Sequence, residues 1–183
     1  MKCLRAAIIV VIAAAPVFAQ NRAPVTNPID YATAHLSLVL TALPISESIV
    51  VDGRLDEPAW QRAVPATNFI QRQPRAGEPS HERTEVRVLY DQDNLYVAYW
   101  CFDSDAGHMV VNGLEEDFRF TQSDSVTLTI DTLHDRQSGF EFATNPVGAK
   151  YDTQFSNNGA ISNPDWDGVW DVKTTHKIGR AHV

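Results

Sequence analysis

The sequence predicts an all-β fold, an antiparallel β-sandwich of jelly-roll type with one short helix. Three observations carry this expectation. From Glu47 onward, short β-branched and aromatic runs recur with turn residues between them. One of these runs, Leu95–Phe102, is apolar on both faces, as a covered central strand must be. Only Leu55–Ala63 has helical character, which disfavours a doubly wound or helical architecture.

The N-terminus reads as a leader. Lys2 and Arg5 form a basic start, Ala6–Ala15 is an apolar run too short to span a bilayer, and Val17 and Ala19 are the small residues of a cleavage site before Gln20. Residues 1–19 are therefore expected to be a secretory signal peptide. Its removal takes Cys3 and leaves Cys101 as the one cysteine, expected to be a buried small hydrophobe. Residues 20–44 carry Pro24, Pro28 and Pro44 without sustained periodicity and read as a linker or N-terminal extension. Residues 45–177 form the expected domain. The closing hexapeptide Ile178–Val183 reads as a sequencing-adapter scar.

Within the domain, Ser48–Val51 is a β-branched strand stopped by the turn dipeptide Asp52-Gly53. Asp56 is expected to cap the helix, with Pro58 in its first turn and Leu55, Ala59, Trp60 and Ala63 facing inward. Thr84–Tyr90 alternates, with Val86, Val88 and Tyr90 on one face and Glu85 and Arg87 on the other. Asp91–Asn94 is the hairpin loop that leads into Leu95–Phe102. Ser125–Ile130 alternates cleanly, and Phe140–Thr144, Tyr151–Phe155 and Val169–Thr174 complete the set.

The chain has 183 residues, with 15 Lys+Arg against 23 Asp+Glu and a net charge of −8. That length fits one domain, and the acid excess argues against a nucleic-acid partner, which needs a clustered basic footprint. The histidines form neither H-x-H nor H-E-x-x-H, so a zinc site is not expected. No G-x-S-x-G, P-loop or G-x-G-x-x-G occurs, and Glu115-Glu116-Asp117 reads as a solvated charge run, so no catalytic constellation is expected in this stretch.

The run Ile49–Trp60, with its V-D-G-x-L-D-E-x-x-W pattern, resembles the opening of family 9 carbohydrate-binding modules. Val86–Ala98 is similar to that family's central hairpin, Ser123–Asp131 to its next strand, and Asn163–Val172 to the subgroup found at the N-terminus of large bacterial secreted proteins. The resemblance covers about Ile45 to Lys177. It implies a sugar-binding sandwich with structural calcium, whose closing strands would follow Lys177, so that a covalently continuous C-terminal region, such as an outer-membrane β-barrel or a glycoside hydrolase, is the expected neighbour. It further implies two tryptophans clamping a saccharide. Here the first clamp position reads Phe118-Arg119-Phe120-Thr121, and the second would lie beyond Lys177.

Sugar recognition needs flat apolar rings for C–H groups and polar side chains for hydroxyls. Trp60, Trp100 and Trp170 sit in regular elements and read as core. Trp166 lies in a turn-rich segment between Asp165 and Asp167 and is the candidate platform, or else a ring folded back to plug one end of the sheets. Phe118 and Phe120 are the candidate second wall. Asp91 with Asp93, and Asp103 with Asp105, offer the hard oxygens that calcium prefers. The expected function is non-catalytic binding of a polysaccharide or oligosaccharide by an exported protein of the periplasm, outer membrane or extracellular space. The alternative is a structural or interaction domain of an outer-membrane barrel protein that binds no sugar.

Overall fold

The computed structural model describes residues 5–13 and 38–177. The cleavage site before Gln20, most of the expected linker and the scar at 178–183 lie outside the described residues. The protein is mostly strands, in a five-stranded and a four-stranded sheet. The strands in chain order are β1 (Arg5–Ala13), β2 (Leu43–Pro44), β3 (Thr84–Tyr90), β4 (Asn94–Phe102), β5 (Val126–Ile130), β6 (Gly139–Thr144), β7 (Lys150–Ser156), β8 (Ile161–Asn163) and β9 (Trp170–Lys177), with helix α1 (Pro58–Arg62) between β2 and β3.

The first sheet runs β2-β3-β4-β1-β9. β3 and β4 form the expected antiparallel hairpin around Asp91–Asn94, with Val88 opposite Val97. The purely antiparallel expectation fails at two places: β2 joins β3 in parallel, and β1 lies parallel to both β4 and β9. β1 falls inside the stretch read as a leader. Its run Ile8–Ile12 is wholly β-branched, and that composition serves a leader's apolar region and a strand covered on both faces equally well. The second sheet, β5-β6-β7-β8, is antiparallel throughout, with Leu128 opposite Phe142 and Phe142 opposite Asp152.

One face of each sheet contributes to the same core. Val86, Val88, Val97, Tyr99, Trp170 and Val172 from the first sheet are buried with Phe142 from the second, and Val126, Leu128, Ile130 and Phe140 pack against them. The far face of the first sheet holds another cluster, built from Leu55, Ala59, Trp60, Ala63, Leu89, Tyr96 and Ala98. The four inward helix positions are thus where their spacing put them. Both faces of β4 are covered, which explains its unbroken apolar sequence. Tyr90, expected inward, is 42% exposed at the hairpin end of β3.

Two local expectations are corrected. The N-cap position is Glu57 rather than Asp56, and its side chain does not cap the helix backbone; its carboxylate accepts instead from the Val50 backbone N–H at 3.0 Å and from Trp60 Nε1 at 3.1 Å. The Ser48–Val51 run is not a strand. The Val50 N–H goes to Glu57, and β2, part of the expected linker, holds the edge of the sheet beside β3. Pro44 there lacks a donor, as suits an edge.

The Asp91 turn is held by its own side chain. Its carboxylate accepts from the backbone N–H groups of Asp93 and Asn94, from the Asn94 side-chain amide and from the Tyr96 hydroxyl at 2.8 Å. The Asp93 N–H leads the groups that hold the Asp91 carboxyl down at about 2, against an ordinary 3.8. A depressed carboxyl stabilises the fold above its unfolded value, and that contribution fades as the pH falls from 3.8 through about 2. Asp91→Ala is expected to cost about 1 kcal/mol at neutral pH, as loss of a capping side chain does. Chemical unfolding of both proteins across this pH range should show the difference shrinking towards pH 2; a constant difference would place the effect elsewhere.

Candidate functional site

The structure separates the residues that the sequence offered as one sugar site. Along β6, Phe140 and Phe142 point to one face and Glu141 and Ala143 to the other. The Trp166 ring packs on the first face, 4.5 Å from Phe140 and 5.8 Å from Phe142 between ring centroids. Phe118 is buried in a different cluster with Ala143 and Ala149, and Phe120 and Tyr151 pack against it at 4.9 Å from each other. Trp166 and the Phe118–Phe120 pair therefore lie on opposite faces of the second sheet and do not form two walls of one site. Asp165 and Asp167 are exposed on either side of the half-buried Trp166.

Asp152 fixes the Trp166 loop. Its Oδ2 accepts from the Gly168 N–H at 2.9 Å and from Trp170 Nε1 at 2.7 Å. Burial pushes the Asp152 carboxyl up, against the pull of these two donors. A side chain at Gly168 would stand 2.9 Å from the Trp166 ring and 3.1 Å from Phe142, so the loop comes close enough to plug the core only because residue 168 is glycine.

The four candidate calcium ligands are likewise divided. Asp91 and Asp93 precede β4 and Asp103 and Asp105 follow it, so a nine-residue strand, roughly 30 Å long, stands between the pairs. The Asp91 carboxylate is committed to its turn. Asp103 accepts from the Asp105 N–H at 2.8 Å, and Asp105 bonds His108 at 2.6 Å. Among the described residues no group of three or more His, Cys, Asp or Glu side chains gathers as a metal site.

The concave feature is elsewhere. A cleft of about 520 Å³ opens where β3 starts, β4 ends, β5 starts and β6 ends. Its lining includes the acidic residues Glu82, Asp103 and Asp124, the hydroxyl residues Ser80, Thr84 and Ser125, and the aromatic Phe102. Local bonds set these groups in place. Asp124 clips the Val110 segment by accepting its N–H at 2.9 Å and donating its own N–H to the Val110 carbonyl at 2.8 Å. Glu82 Oε1 accepts from the Ser104 hydroxyl, and Ser80 donates to the Glu82 carbonyl at 2.8 Å. The Val110 N–H takes one carboxylate oxygen of Asp124 and the Ser104 hydroxyl one of Glu82, the other two bonds being to backbone groups, so Asp124 Oδ1 and Glu82 Oε2 have no bond among the described residues. The Arg83 guanidinium lies over the Phe102 ring at 4.7 Å.

The cleft also includes a cysteine. Cys101 is in its wall, but burial pushes the thiol up to about 11, so at neutral pH it is a thiol and not a thiolate. What remains is a pocket rich in hydrogen-bond acceptors beside one aromatic ring. No known family, curated protein or solved structure matches the chain.

The cleft and Trp166 are also distinct places. Val126 pairs with Thr144 at the cleft end of the β5–β6 ladder, and Ile130 pairs with Phe140 beneath Trp166, four residues or roughly 13 Å further along. Of the sequence candidates, only Asp103 lies in the cleft. Glu82, Ser80, Thr84, Phe102 and Ser125 were missed as site residues. Asp124 was missed too; Asp103 just after β4 and Asp124 just before β5 are the signal that could have found the cleft.

Proposed function

We propose that this chain is a non-catalytic carbohydrate-binding module, a jelly-roll-like β-sandwich of an exported protein, that takes saccharide hydroxyls in the cleft at the β4–β5 end. The observation that carries the reading is the lining of that cleft. Carboxylates accept strongly from hydroxyl donors, serine and threonine hydroxyls both give and accept, and one ring face suits pyranose C–H groups. The likeness of Ile49–Trp60 and Ser123–Asp131 to family 9 modules supports the same class of ligand. Placement in the periplasm, outer membrane or extracellular space, where polysaccharide is met, belongs to this proposal.

Titration calorimetry against a panel of neutral oligosaccharides is expected to give saturable heat. Glu82→Ala and Asp103→Ala are each expected to weaken binding about 10-fold, the loss of one hydrogen bond to a charged group. A folded chain that gives no heat with any sugar sinks the proposal.

A second reading has its own observation in favour. Trp166 is stacked on Phe140 and Phe118 is buried, so the rings most suited to a sugar platform serve packing. A structural or interaction domain of a larger envelope protein would look like this. A folded chain that ignores sugars but associates with a barrel domain would favour it.

A further inference from the structure

We propose that the space between β4 and β9 is a strand-acceptor slot, filled in the uncleaved chain by Arg5–Ala13 and opened when that segment leaves. The inference is independent of any sugar site. β1 pairs along its whole length with β4, from Arg5 opposite Asn94 to Ala13 opposite Phe102, and along Ala6–Ala13 with all of β9. Among the described strands, β4 and β9 do not pair with each other, and β9 pairs with β1 alone. Taking β1 away therefore leaves a gap about 10 Å wide, two inter-strand spacings, with the unpaired N–H and C=O groups of one strand facing those of the other.

The two walls stay in place without β1. β9 is held by Trp170 and Val172 in the core, by the Trp170 bond to Asp152 and by Thr174, whose hydroxyl donates to the Pro146 carbonyl at 2.7 Å. β4 is held by β3 and covered on both faces. A strand entering such a gap gains two ladders at once, whereas addition to an ordinary sheet edge gains one. The occupant is specified by its surroundings. It must be extended, about nine residues long, parallel to both neighbours and apolar on the face where Val97 and Val172 flank the gap, whereas on the other face β9 presents the exposed Asp171 and Lys173. Arg5–Ala13, with five consecutive β-branched residues, meets each condition.

The register supplies the test. Ile12 is opposite Cys101. Adjacent strands lie about 4.8 Å apart, within the separation a disulfide spans. In the full chain carrying Cys3→Ser and Ile12→Cys, mild oxidation is expected to consume both thiols and join residues 12 and 101 in a non-reduced peptide map. The Cys3→Ser, Ile9→Cys chain, displaced by three positions, is expected not to join. Equal joining in both chains, or none in the first, overturns the placement. For the slot itself, Ile9→Pro in the full chain should speed amide exchange in Trp170–Lys177 at least 10-fold while β5–β8 keep their protection. A synthetic peptide of the Arg5–Ala13 sequence should restore it, and an equally long polar peptide should not. Unchanged exchange in β9, or equal rescue by the polar peptide, defeats the acceptor slot.

Discussion

Trp60→Ala is expected to lower the unfolding free energy by about 3–5 kcal/mol, the range for deleting a large buried aromatic. Trp60 has no exposed surface and sits in the centre of the cluster on the far face of the first sheet. Its ring meets Trp100 edge-on at 6.2 Å, and its indole N–H is taken by Glu57. Truncation empties a cavity the size of an indole under a helix of only five residues, which cannot collapse to fill it. It also frees Glu57, the residue that ties the Val50 segment to the helix. Against a total of about 5–15 kcal/mol for a typical domain, the variant stands near the edge of folding. Denaturant unfolding followed by far-UV circular dichroism measures the loss. A change below about 1 kcal/mol would mean that the helix does not seal this face. Trp60→Phe should recover most of the loss, because it keeps the ring and gives up only the Glu57 bond.

Asp152→Ala is expected to cost about 2–4 kcal/mol. Removing this carboxylate leaves the Trp170 indole N–H buried without an acceptor, and that penalty exceeds the ordinary value of the bond. The Gly168 N–H loses its partner in the same step. Because that glycine brings the chain back over Phe142, the Trp166 ring should loosen as well. The measurement is therefore double: a lower unfolding midpoint, and greater quenching of tryptophan emission by acrylamide in the folded state. Asp152→Asn keeps an acceptor for Trp170 and removes the cost of burying charge, so it should be nearly neutral. If Asp152→Asn is as damaging as Asp152→Ala, charge and not hydrogen bonding is what the site requires.

The strands that could be read from sequence were those whose burial leaves a mark on residue order. Val126, Leu128 and Ile130 alternate because only one face of β5 meets the core, and Leu95–Phe102 is apolar throughout because β4 is covered twice. Leu55, Ala59, Trp60 and Ala63 gave the helix face by spacing alone. Ser48–Val51 has a strand's composition, but a ladder also needs a partner, and nothing local says that Glu57 will claim the Val50 N–H. The segment expected to be a leader from its basic start, apolar run and small cleavage-site residues also forms β1, because an apolar β-branched run suits a strand as well. The cleft was hidden for a different reason. Its residues come from five separate stretches around Glu82, Phe102, Met109, Asp124 and Asn145, and no spacing along the chain announces that they meet. Phe118 and Trp166 looked like partners until the pleat of β6 put them on opposite sides.

The order of strands in the first sheet also sets a clock. β1 leaves the ribosome first and β9 last among the described strands, yet they are neighbours. At synthesis rates of about 5–20 residues per second, the interval between them is on the order of 10–30 s. Throughout that time the sheet lacks its last member, and the contact that closes it spans most of the chain, the kind of pairing that forms slowly. A nascent chain so arranged keeps this sheet open until β9 is made.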